Sequence, residues 1–165
     1  MEMDTLAKLY VDELKDLWSA EKQILKALPK MIRAASSKPL KQGFRDHERQ
    51  TREHVRRLER IFKTLDASPR GKKCVGMEGL LKEGSELIKE RPEADVLDAG
   101  LIAAAQHVEH YEIAGYGTAR TWAKVLGHSE HARVLQETLL EEGETDKLLT
   151  KLAGAINIAA ENPDE

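Results

Sequence analysis

A chain of 165 residues with a 41% hydrophobic fraction is long enough to bury a core as one domain, spanning 1–165. Its formal charge of −3 offers no phosphate-neutralising surface and excludes a general nucleic-acid binder. The single cysteine, Cys74, excludes an internal disulfide and fits a reducing compartment. With no membrane-length apolar run and no secretory pattern in MEMDTLAKLY, a cytoplasmic protein is expected.

Charged residues at 33% and aromatics at only 4%, in a chain rich in Ala, Leu, Glu and Lys, favour an all-α fold. The first helix is predicted from about Thr5 to Ala35, with Asp4 as N-cap, a kink at Pro29 and a stop at Ser36-Ser37-Lys38-Pro39. The second runs from about Leu40 to Leu65. Its arginines Arg49, Arg52, Arg56, Arg57 and Arg60 alternate with Glu48, Glu53 and Glu59, the pattern of a solvated face laced with ion pairs. An irregular stretch from Arg70 to Gly79 precedes a short helix near Leu80–Glu90. The third long helix runs from about Ala94 to Leu126 and ends at Gly127, a left-handed cap. The fourth runs from about Ser129 to Ala160. Short turns within each pair and a long connection between pairs predict two antiparallel hairpins joined by a crossover with a short extra helix. That is the topology of a ferritin-like four-helix bundle.

Each long helix carries an apolar stripe at helical spacing, and each stripe is interrupted by polar side chains. Glu21 sits at the centre of the stripe Tyr10, Leu14, Leu17, Leu25, Leu28 and Ile32. On the second helix, His47 and Thr51 are central, His54 is just off centre, and Gln50 lies on the flank. The third brings Glu109 and Glu112 to its buried face and turns His110 away. On the fourth, Glu142 is central and Asp146 is close beside it. Unpaired buried carboxylates cost several kcal/mol each, so these groups are expected to share protons or cations.

Counting residues from the two turns places Glu21, His54, Glu109, Glu112, Glu142 and Asp146 near one level. The separations from Glu21 to His54 and from Glu109 to Glu142 are both 33 residues, as a duplicated hairpin would give. His47 falls about 12 Å from the Glu21 level at 1.5 Å per residue, so the same count prefers His54 as the second helix's contribution. The residue types suit one or two Fe or Mn ions. The Glu-x-x-His pairs of di-metal carboxylate bundles are absent: Thr51-x-x-His54 and Glu142-x-x-Thr145 stand in those places. Tyr116 is read as core packing, and Cys74 as a small buried residue beneath the crossover.

The stretches SAEKQILKALPKM, KKCVGMEGL, LIAAAQHVEHYEIAGYGTAR and LLEEGETDKL resemble the YciF-type stress-protein family, from about Leu6 to Ala153. The resemblance implies a ferritin-like bundle, a homodimer and a rubrerythrin-like metal site drawing on Glu21, Glu109, Glu112, Glu142 and Asp146. On the second helix His47 and Thr51 match the family pattern, whereas Gln50 replaces its acid. Peroxide reduction or Fe(II) oxidation is the chemistry expected of such a site. One cysteine cannot build a cysteine-ligated electron-delivery centre, so an external electron donor would be required. The rival expectation is a non-catalytic helical stress protein that binds partners, with its metal structural or absent. Trp18 or Trp122 is expected at the dimer contact.

Overall fold

The computed structural model describes residues 3–161, in which every regular element is an α-helix. The five are α1 (Leu6–Ala34), α2 (Lys38–Thr64), α3 (Val75–Glu90), α4 (Ala94–Val125) and α5 (Ser129–Glu161). Side chains with free lone pairs fix where they begin. Thr5, not Asp4, caps α1 by accepting the Lys8 amide at 3.2 Å, while Asp4 pairs with Lys8 Nζ at 2.7 Å. Ser37 caps α2 and accepts from the Leu40 amide at 3.4 Å. The helix therefore starts at Lys38, two residues before the expected Leu40, because a proline in the first turn forfeits no intrahelical hydrogen bond. α1 continues through Pro29 as one helix. Gly127 closes α4 with φ +79°, as expected.

The largest departure from expectation is α3, which begins at Val75 instead of near Leu80. Gly76 and Gly79 read as breakers in the sequence, but Gly76 serves close packing. A Cβ there would stand 2.7 Å from Tyr111 Cε2 on α4. Cys74 is fully buried and caps α3, its Sγ accepting from the Met77 amide at 3.4 Å. Its sulfur also meets the Tyr111 hydroxyl at 3.1 Å, and that hydroxyl donates to Asp16 at 2.8 Å.

Three-residue turns join α1 to α2 and α4 to α5. The four long helices close a ring of contacts, α1 on α2, α2 on α5, α5 on α4 and α4 on α1, with α3 laid against α1 and α4. Buried Asp98 on α4 ties the first turn down, accepting the Ser36 and Ser37 amides at 2.8 and 2.7 Å. On α2, Arg49, Arg52, Arg56 and Arg60 pair with Asp46, Glu48 and Glu53 on the solvent side. Arg57 departs from that face and turns towards α5. No described helix is long and apolar enough to cross a membrane.

The apolar interior is in two pieces. One gathers Ile24, Leu28, Leu40, Phe44, Val108 and Leu149 beside the first turn and α3. The other gathers Tyr10, Leu14, Leu58, Phe62, Tyr116 and Leu135, with Trp18 and Trp122 half-buried against it. At the end of this second cluster His131 is locked between hydroxyls. Thr64 Oγ1 donates to the Ile61 carbonyl at 2.7 Å and so accepts from His131 Nε2–H at 2.7 Å. Nδ1 is left to accept from the Tyr10 hydroxyl at 3.2 Å.

Two outcomes follow from this packing. In the AGYG segment a Cβ on Gly115 would lie 2.7 Å from Leu17 Cδ2, a fully buried side chain, whereas one on Gly117 would meet nothing. Urea unfolding should therefore show Gly117→Ala raising stability by about 0.5–1 kcal/mol. Gly115→Ala should lower it by about 1–3 kcal/mol through overpacking. Burial, helped by His128, holds His131 below its ordinary value of 6.5. A base depressed in the folded state contributes stability that is complete above its unfolded pKa and declines as pH falls below it. Between about pH 7.5 and pH 5.5 the urea midpoint of the wild type should thus fall relative to that of His131→Gln.

Candidate metal centre

Helical spacing alone puts the ligand-type side chains on common faces. Glu109 and Glu112 are three residues apart on α4, and His47, Thr51 and His54 lie four and three apart on α2. With Glu21 from α1 and Glu142 from α5, all four members of the ring contribute. None of the seven is more than 4% exposed. Along each helix they fall between the two apolar clusters, for example Glu21 between Leu17 and Ile24, and Glu142 between Leu135 and Leu149. The centre is a polar layer that divides the core.

Within it the donors form two groups that share Glu142. His47, Glu109, Glu112 and Glu142 present ligand atoms all within 4.8 Å of one another, and so do Glu21, His54 and Glu142. His47 Nε2 stands 3.1 Å from Glu109 and its Nδ1 3.9 Å from Glu142 Oε2. His54 Nδ1 stands 3.2 Å from Glu21 and 3.0 Å from Glu142 Oε1. These contacts are close enough for charge but not aligned as hydrogen bonds. Both nitrogens of His47, Nδ1 of His54, both oxygens of Glu112 and of Glu142, one oxygen each of Glu21 and Glu109, and the Thr51 hydroxyl have no hydrogen-bond partner.

Burial sets the charges here. It pushes Glu109 and Glu112 well above the usual carboxylate range, and the neighbouring Glu142 and Glu21 add to the push. Burial opposes charge on His54 too, yet Glu21, Glu141 and Glu142 together push it up to about 12. Burial likewise works against ionised Glu142, but His54 and His47 hold that carboxyl below its ordinary value. His47 is lowered, chiefly by burial. The raised proton affinities of Glu109, Glu112 and His54 thus lower the negative charge of the layer without cancelling it.

Six of the seven expected ligands meet here: Glu21, His47, His54, Glu109, Glu112 and Glu142. His47 is present although residue counting set it about 12 Å away. That count treats the helices as straight, parallel and level at their turns. The two α2 imidazoles are instead two turns apart and lean towards one carboxylate, Glu142, from either side. Asp146 is not brought in. It accepts from Gln106 at 3.2 Å and pairs at 3.2 Å with exposed His110, one turn beyond Glu142 on the rim. Gln50 accepts weakly from Thr145, at 3.4 Å.

Tyr116, expected as packing alone, is fully buried and also donates its hydroxyl to Glu21 Oε1 at 2.5 Å. Two residues escaped the sequence reading as members of the site. Glu141 meets His54 Nε2 at 2.7 Å, and Arg57 grips Glu141 with two bonds of 2.6 and 2.9 Å. The available signal was the position of Arg57 one turn after His54, on the same side of α2. Beside the His47 end lies a cavity of ≈ 20 Å³, lined mainly by Ile24, Leu28, Phe44 and Leu149 and also by His47 and Glu109. It has room for one water-sized molecule.

The comparisons agree over nearly the whole length. The E. coli protein YciF is 44% identical over 164 residues, covering 98% of this chain and 99% of that protein. The crystal structure of the E. coli stress protein YciF superposes with a TM-score of 0.90 at 43% identity, covering 93% of this chain and 98% of that one. YcfI of Rhodopseudomonas palustris gives a TM-score of 0.87 at 42% identity, covering 91% of this chain and 97% of that one. The family described as Domain of unknown function (DUF892) matches residues 5–161, and the chain belongs to it.

Proposed function

We propose that this chain is a ferritin-like stress-response metalloprotein that holds one or two Fe or Mn ions between its four long helices. The observation that carries the reading is the set of orphaned lone pairs. Four carboxylates and two imidazoles converge in a fully buried layer, and most of their inward atoms have no hydrogen-bond partner. Such groups are stable only with protons or cations between them. Glu109, Glu112 and His47 would hold one ion, Glu21 and His54 the other, and Glu142, common to both groups, would serve either. Oxygen-rich donors with two imidazoles suit Fe or Mn.

The chemistry supplied by such ions when bound is one-electron redox, serving peroxide reduction or Fe(II) oxidation. The chain's own residues would prepare for it. Tyr116 holds Glu21 by its hydroxyl and fixes the carboxylate's free oxygen. The apolar walls beside His47 keep bulk water away and leave space for one small oxidant. Glu109 and Glu112 would release their protons when a cation enters. An external reductant, a homodimer and a cytoplasmic setting complete the proposal. The lack of Glu-x-x-His and the side-chain amide of Gln50 favour the rival reading, a non-catalytic protein with a structural metal.

Protein produced without chelator should retain Fe or Mn by elemental analysis. Mn(II) at a hundredfold excess over its Kd should stabilise the fold by about 2.7 kcal/mol, raising Tm by roughly 5–10 °C. Glu109→Ala should lose most of both effects and, if the site is catalytic, most peroxide consumption. A wild type that takes up no metal after anaerobic Fe(II) loading sinks the proposal. Metal uptake with peroxide turnover unchanged in the variant leaves the structural role.

A further inference from the structure

His54 spans the boundary between the buried layer and the surface. Its ring is fully buried, and Nδ1 faces Glu21 and Glu142. On the other side, Nε2 lies 2.7 Å from Oε2 of Glu141, a side chain that is 32% exposed. Arg57 binds both oxygens of that carboxylate, and its Nη1 also donates to buried Thr138 at 3.1 Å. The four residues form a clamp between α2 and α5, each helix supplying a pair three apart, His54 with Arg57 and Thr138 with Glu141.

The clamp fixes which ring nitrogen carries a proton outward. A carboxylate held by both arms of an always-charged guanidinium is an ionised acceptor with no proton to donate. A 2.7 Å bond to it therefore requires that Nε2–H of His54 donates. Nδ1 is then the nitrogen that can give its lone pair to a cation once its own proton has been displaced. His47 has no such outer partner: both its nitrogens face layer carboxylates and neither makes a hydrogen bond. Carboxylates that accept the far N–H of a ligand imidazole orient the ring and strengthen the ligand.

We infer that Glu141, clamped by Arg57, is the positioning residue that presets His54 for metal binding through Nδ1, leaving the Glu21–His54–Glu142 position more preorganised than the His47 position. This rests on the metal-binding reading, but the clamp exists without metal and is testable on its own. In metal-free wild-type protein with 15N-labelled histidine, His54 should give a strongly hydrogen-bonded Nε2–H signal. Glu141→Leu should lose it, while Glu141→Gln, whose amide oxygen still accepts, should keep it. Mn(II) titration followed by EPR should show one of two uptake steps weakened about 10–100-fold in Glu141→Leu and largely restored in Glu141→Gln. Circular dichroism of each variant checks that the helices remain.

A Glu141→Leu protein that keeps the His54 signal, or binds Mn(II) as the wild type does, overturns the inference and leaves the metal site standing. Loss of the signal in Glu141→Leu, with no Mn(II) uptake by any form, has the reverse meaning. The ring positioning then holds and the metal reading falls.

Discussion

Four carboxylates inside one helical layer are the constraint on which the rest of the structure depends. A single uncompensated buried charge costs several kcal/mol, and a whole domain is stable by only about 5–15 kcal/mol. Glu21, Glu109, Glu112 and Glu142 could not all be ionised and unpaired in a folded protein. Compensation is built in from α2, among the described residues the only long helix that brings histidines to the layer. His54 stands between Glu21 and Glu142, and His47 between Glu109 and Glu142. The apolar clusters on either side take no part in that balance; they hold the four backbones at the spacing it requires.

That division of labour explains features otherwise remote from the centre. Asp98 pins the first turn through two backbone amides, which sets the register of α2 against α1 and so the height of both imidazoles. Close approach at Gly115 lets α4 lie against Leu17 of α1, one turn before Glu21 and one turn after Glu112. Tyr116, in the same segment, reaches back to Glu21. The AGYG segment is thus a packing device and a hydrogen-bond donor within two residues, both serving the α1–α4 seam beside the layer.

Most of the fold was legible because amphipathic periodicity is a property of each helix alone. Glu21, Glu109, Glu112 and Glu142 were recognisable as buried because each interrupts an apolar stripe at the right angle. Features fixed by two helices together were not. Gly76 looks like a breaker until Tyr111 is seen against it, and Asp146 shares Glu142's side of α5 yet turns to Gln106 and His110. Arg57 reads as one more member of a solvated arginine row until α5 supplies Glu141 and Thr138. His47 was misplaced by counting along idealised axes, which ignores how far long side chains lean towards a shared partner.

The protonation pattern gives the layer a way to exist both empty and filled. Without a cation, the raised proton affinities of Glu109, Glu112 and His54 favour protons in the layer and lower its negative charge. A cation entering under the proposed function would displace those same protons, so the charge inside the bundle changes far less than the ion's own charge. Binding then needs little rearrangement of the helices, because one positive group replaces others in one cage. A designed apolar layer of similar volume would be as stable and could hold nothing. Under the proposed function, what the chain gains from its costly polar layer is a folded site that precedes its ligand.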